Sequence, residues 1–172
     1  MSAEENKAIV HRYVDEVLNG ENLDAVNELC TSDCVLQDPN LREERQGSEV
    51  MAAFARLCHI ISPNYTCRVE ETVAERDTVV VSWTASGKLA PEMGDPGTTD
   101  DEVKVSGISM FRFDDEGKIS SMEQHYDPID DFPRLVPKEE AALVRLVNDP
   151  YLDPLREVEI KGFFCMVHPK RC

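Results

Sequence analysis

The sequence predicts an α+β domain over residues 1–128, with N-terminal helices packed on one side of a strongly curved, mainly antiparallel sheet, and an extension over 129–172. Three observations predict it. Apolar residues recur at helical spacing as far as Ile61. At Tyr65 the period changes to alternation, and the alternating runs that follow are strand-length and end in turn residues. Helices and strands are therefore segregated along the chain, which favours a two-layer architecture over a βαβ repeat.

Each element has its own signal. The first helix is expected over 4–20, with Ile9, Val10, Tyr13, Val14, Val17 and Leu18 as its stripe and Asn19-Gly20 as its end. A short second helix follows, capped by Asn22, with Leu23, Val26, Leu29 and Cys30 on one side. Ser32-Asp33 is read as a turn into a brief strand over 34–38, which Pro39 stops while holding Asp38 extended. A polar loop over 40–47 leads to a third helix, with Ser48 as cap and Val50, Met51, Phe54, Leu57, Cys58 and Ile61 as its apolar face. Strands over 65–73 and 79–86 flank a turn at Arg76-Asp77. After a loop over 89–102, rich in Gly, Pro and Asp, come a strand over 103–113, a hairpin turn at 114–117 and a last strand over 119–127.

Beyond Pro128 the texture differs. Pro133 and Pro137 break regular structure, 138–148 can form a short helix, and Phe163-Phe164-Cys165-Met166-Val167 is an apolar patch. This tail is too short for a domain. It is expected to pack on the main body or on a second subunit, as a lid or an exchanged arm.

Composition narrows the function classes. The 172 residues suit one domain, and 41% hydrophobic content can supply a core. Thirty-four acidic against 18 basic residues give a net charge of −16, which argues against nucleic acid and against an anionic membrane surface. MSAEENK is polar with no apolar stretch after it, and no run reaches membrane-spanning length, so a cytoplasmic protein is expected. The six cysteines are then read as reduced thiols. Cys30 and Cys34 are four apart, but no second pair completes a zinc site, so neither a metal nor a cofactor is expected. No G-x-S-x-G, Walker or dinucleotide pattern occurs.

Three segments carry a family resemblance: "NKAIVHRYVDEVLNGENLDAVNELCTSDCVLQDP", "VVVSWTASGKL" and "VKVSGISMFRFDDEGKISSMEQHYDP". Over residues 5–128 the chain resembles the SnoaL-like polyketide cyclases and the related steroid Δ-isomerases of the nuclear transport factor 2-like superfamily. The resemblance implies a cone-shaped fold, a mostly apolar pocket, a hydrophobic small-molecule substrate and a homodimer. In the isomerase branch a helix-1 tyrosine in an "RYV" context stabilises the substrate oxyanion, and an aspartate in a strand-ending "DP" context shuttles the proton. By motif these fall on Tyr13 and Asp38, and Ser109 falls where that branch has a second oxyanion donor. In the cyclase branch the acid/base aspartate lies on the last strand, nearest Asp127.

The residue types suit those roles. A carboxylate beside an apolar cavity loses hydration, which is expected to raise its pKa towards that of a useful base. The bland alternative for Asp38 is a turn aspartate capping backbone amides. A phenol buried at one end can donate one strong hydrogen bond to an enolate, or it can simply be core, as Tyr13. The last strand has two faces: Ser120, Met122, Gln124 and Tyr126, or Ile119, Ser121, Glu123, His125 and Asp127. The first resembles the isomerase pocket lining, the second holds the acid/base groups, and both cannot point inward without a bulge. His125 is a candidate proton relay. Val14, Val17, Met51, Phe54, Trp83 and Phe111 are expected as core or pocket wall, with Met122 and Tyr126 beside them. The expected activity is cofactor-free isomerisation or cyclisation of a hydrophobic carbonyl compound. A binding or dimerisation module, and a hydrolase or dehydratase that activates water between two carboxylates, stay open.

Overall fold

A computed structural model of the chain describes residues 2–39, 44–90 and 102–126. The extension over 129–172, the proposed short helix within it and Asp127 lie outside the described residues.

Helix α1 (Ala3–Arg12) starts at a full capping box, in which Ser2 Oγ accepts from the Glu5 amide and Glu5 Oε2 accepts from the Ser2 amide. It runs on into a π-wound segment, Tyr13–Asn19, so the predicted first helix is one rod wound in two ways. The wider turn leaves Tyr13, Val14, Val17 and Leu18 all buried. Asn19 ends it as a clasp: its side chain accepts from the Cys67 amide at 2.7 Å and donates to the Cys67 carbonyl at 2.9 Å. A 3₁₀ turn (Leu23–Ala25) leads into the single turn of α2 (Val26–Leu29).

The sheet has six strands: β1 (Cys30–Gln37), β2 (Arg45–Gln46), β3 (Thr66–Glu75), β4 (Thr78–Lys88), β5 (Glu102–Phe113) and β6 (Ile119–Tyr126). Their order is β2-β1-β6-β5-β4-β3, antiparallel throughout except where β1 lies parallel to β6. The chain is thus α+β, with helices packed against a curved mixed sheet that does not close. Helix α3 (Ser48–Ile61) lies on β1, and α1 on β3 and β4.

Three local expectations are corrected. Cys30 opens β1 rather than closing the second helix, and Ser32-Asp33 sits in an irregular stretch of the β1–β6 ladder between Cys30 and Val35. The loop after Asp38 contains β2, whose two residues pair with Val35 and Leu36. Helix α3 is capped at Gly47, not at Ser48. The glycine sits at φ +122°, where a side chain is strained, and its amide donates to the Cys34 carbonyl. The buried side of α3 is Val50, Met51, Ala52, Ala53, Ala55 and His59, while Phe54 and Leu57 are half-buried at its margin. Small alanines let the helix approach the sheet closely.

Candidate functional site

Asp38 follows the last residue of β1 and is buried, with 8% of its surface exposed. The parallel pairing of β1 with β6 puts Gln37 opposite Glu123, which brings Asp38 level with Gln124. On β5, Ser109 pairs with Gln124, and on β4, Trp83 lies one step along the same inner face.

These side chains form a buried hydrogen-bonded chain. Trp83 Nε1 donates to Ser109 Oγ at 2.7 Å, Ser109 Oγ donates to Gln124 Oε1 at 3.4 Å, and Gln124 Nε2 donates to Asp38 Oδ2 at 3.1 Å. Its polarity follows from its first member. An indole N–H can only donate, so Ser109 accepts and has its own hydrogen to pass on. That fixes the Gln124 amide with its NH₂ towards Asp38. From the other side the Tyr126 hydroxyl donates to the carboxylate, 2.9 Å from each oxygen. Donors on both sides suit the ionised, acceptor-only form of Asp38.

Gly107 makes this arrangement fit. It lies on β5 between Trp83 and Tyr126, whose rings meet edge-on across it with centroids 5.6 Å apart. A Cβ there would come within 2.6 Å of the indole and 2.8 Å of both the Tyr126 Cβ and the His125 carbonyl.

Tyr13 is fully buried, with its ring edge-on to Phe111. Its hydroxyl has no hydrogen-bond partner among the described residues. Burial raises its pKa well above the usual phenol value, and the thiols of Cys30, Cys34, Cys58 and Cys67 push the same way. Tyr13 is therefore held as a neutral donor. The Cys58 thiol is pushed up to about 12, first by burial and then by the charge of Asp38. Cys58 thus lies within electrostatic reach of both Asp38 and Tyr13.

The structure brings Asp38, Trp83, Ser109 and Tyr126 of the expected site together. Val14, Val17, Met51, Phe111 and Met122 are buried in the core, and Phe54 is half-buried against it. The inward face of β6 is that of Met122, Gln124 and Tyr126. His125 is exposed on the other face of β6, with Nε2 at 2.9 Å from Glu123 Oε1. Gln124 was legible only as a member of one of two competing faces; what selects it is the parallel β1–β6 register, which no local pattern encodes. Among the described residues no group of three or more His, Cys, Asp or Glu side chains could hold a metal ion. No helix among them is long and apolar enough to cross a membrane.

The family model for the SnoaL-like domain matches residues 10–122. A protein from Jannaschia sp. CCS1 described as a SnoaL-like polyketide cyclase is similar at 21% identity and TM-score 0.64, over 77% of this chain and 92% of that one. The epoxide hydrolase/cyclase-like enzyme SalBIII, of pyran ring formation in polyether salinomycin, is similar at 24% identity and TM-score 0.59, over 72% and 91%. A protein from Kribbella flavida DSM 17836 described as a ketosteroid isomerase is similar at 18% identity and TM-score 0.56, over 74% and 81%. At these identities the likeness is one of fold. No curated protein matches the chain.

Proposed function

Because the chain belongs to the SnoaL-like domain family, we propose that it is a cofactor-free acid/base enzyme that isomerises or cyclises a hydrophobic carbonyl compound of polyketide, terpenoid or steroid-like kind. The cyclase and isomerase descriptions of the similar structures support that reaction class. The observation that carries the reading is the Asp38 carboxylate, buried and held by Gln124 and Tyr126 on the inner side of the sheet.

Asp38 removes a proton from the carbon beside the substrate carbonyl, and the electron pair moves onto the carbonyl oxygen as an enolate. Tyr13 donates its unpartnered hydroxyl to that oxygen. The protonated Asp38 then returns its proton to a second carbon, or the enolate carbon attacks a second carbonyl carbon of the same molecule, whose C=O π bond opens onto its oxygen as that oxygen takes the proton from Asp38, and closes a ring. Gln124 and Tyr126 keep the carboxylate in one orientation through both steps, which is the entropic part of the catalysis. Burial of the site strengthens each of these interactions. A homodimer belongs to the same proposal, and light scattering of the purified chain measures it directly. Asp127 belongs to the proposal only as a second carboxylate for proton return.

Binding of 2-naphthol, a planar mimic of an enol, tests the site. The wild-type chain is expected to bind it and quench its fluorescence, with Tyr13→Phe weakening the binding up to about tenfold, the effect of one hydrogen bond. Absence of binding to the wild type, or identical binding to Tyr13→Phe, contradicts the reading.

A further inference from the structure

We infer that Arg45 is the anchor for a carboxylate on the substrate, so that the compound turned over is a carbonyl acid rather than a neutral skeleton; this rests on the reading above. Arg45 lies on β2 directly opposite Leu36 of β1, a residue with no exposed surface. Residues opposite one another in an antiparallel pair share a face, so Arg45 points to the inner side, as Leu36 does. Asp38 lies two residues beyond Leu36, just past the end of β1, and its hydrogen bond to Gln124, on the same β6 face as the Met122 that pairs with Leu36, puts it on that same side.

The Arg45 guanidinium is anomalous. Its Nε and Nη2 are both buried, and neither has a hydrogen-bond partner among the described residues. Nε and Nη2 form the side-on edge of the guanidinium, whose two parallel N–H groups match the two oxygens of a carboxylate. The edge left unpaired is thus the one built for bidentate recognition. Other arginines of the chain behave differently: Arg12, Arg56 and Arg68 each hold a glutamate, at 2.7, 2.9 and 2.6 Å. The acidic neighbour in sequence, Glu44, is exposed and takes a hydrogen bond from Gln37 at 2.9 Å. Buried N–H groups without a partner are costly, and native structures pair them. An anionic ligand supplies the pair. In a chain of net charge −16, the buried Nε–Nη2 edge of Arg45 gives an acid a specific destination.

The test compares 6-hydroxy-2-naphthoate with its methyl ester, two probes with one skeleton and one charge difference. Titration of the full chain by fluorescence is expected to show the acid binding at least about tenfold tighter than the ester, with the preference shrinking as salt is added. Arg45→Met is expected to erase the preference while leaving the ester's affinity unchanged, and Arg45→Lys, which keeps the charge but not the fork, to restore only part of it. Equal binding of acid and ester to the wild type overturns the inference while the ester's own binding upholds the enol-binding site. A preference that survives Arg45→Met also overturns it. Should the methionine variant fail to fold, the wild-type comparison and the lysine variant decide. If neither probe binds, the parent reading and this one fall together.

Discussion

Donors converge on the Asp38 carboxylate, and that dictates what single substitutions do. Asp38→Asn removes the base and presents an amide N–H₂ to groups that now donate, so kcat/KM for the proton-transfer step is expected to fall about 10²–10⁴-fold. Tyr126→Phe leaves the base but loosens it, with a fall of about tenfold. Tyr13→Phe separates function from stability. Its hydroxyl is buried and unpartnered, so its removal is expected to raise unfolding free energy by about 1 kcal/mol while lowering activity. Urea titration beside a rate measurement checks both, and a loss of stability would show that the hydroxyl has a structural partner. At this scale the sequence was informative about Asp38, because "DP" after an apolar run names a strand-ending aspartate, and about Trp83, Ser109 and Tyr126. It placed Gln124 only on one of two competing faces of the last strand, and it was silent on Arg45. Their significance depends on what lies across two strand pairings, and neither residue type is conspicuous by itself.

Two features hold the elements in the geometry the site needs. Gly107 is where β5 lets Trp83 and Tyr126 touch, so Gly107→Ala must push one ring aside. It is expected to cost about 1–3 kcal/mol, the range for overpacking, and to lower activity more than stability suggests, since the added methyl also presses on the Cβ of Tyr126, whose hydroxyl binds Asp38. Intact activity in the alanine variant would contradict that coupling. The Asn19 clasp ties the π-wound segment that carries Tyr13 to β3. Asn19→Ala is expected to lower stability by about 1–3 kcal/mol by orphaning the Cys67 amide and carbonyl, measured as a fall in Tm. The helices and the long strands were legible because their periods run for several turns or residue pairs. The early start of β1, the two residues of β2 and the π winding were not. Each is set by pairing or docking to a distant segment, the Cys34–Gly47 bond and the Cys67 clasp among them.

Across the whole molecule, thiols and phenols fill an interior that titration will expose. Folding raises Cys58 from 9.0 to about 12 and Cys67 from 9.0 to about 11, mainly through burial. Above pH 9 the unfolded chain therefore loses protons that the folded chain keeps. The unfolded state binds fewer protons, so stability falls as pH rises, being fully present below the unfolded value and lost through the folded ones. The urea midpoint is expected to drop steadily between about pH 9 and pH 12, and Cys58→Ala to shallow the drop; a midpoint unchanged over that window would contradict the burial of these groups. The overall architecture was legible because segregation of helical and alternating periods is a property of the entire chain. The direction in which β6 faces was not, since both of its faces carry polar groups. The central claim is that Asp38 removes a proton beside a carbonyl, and proton exchange measures it most directly. Proton NMR of a cyclic ketone such as 2-tetralone in D₂O, with wild type and Asp38→Asn, follows loss of the α-hydrogen signal. Exchange accelerated by the wild type and returned to the buffer rate by Asp38→Asn is the predicted result; equal exchange with both proteins would contradict it.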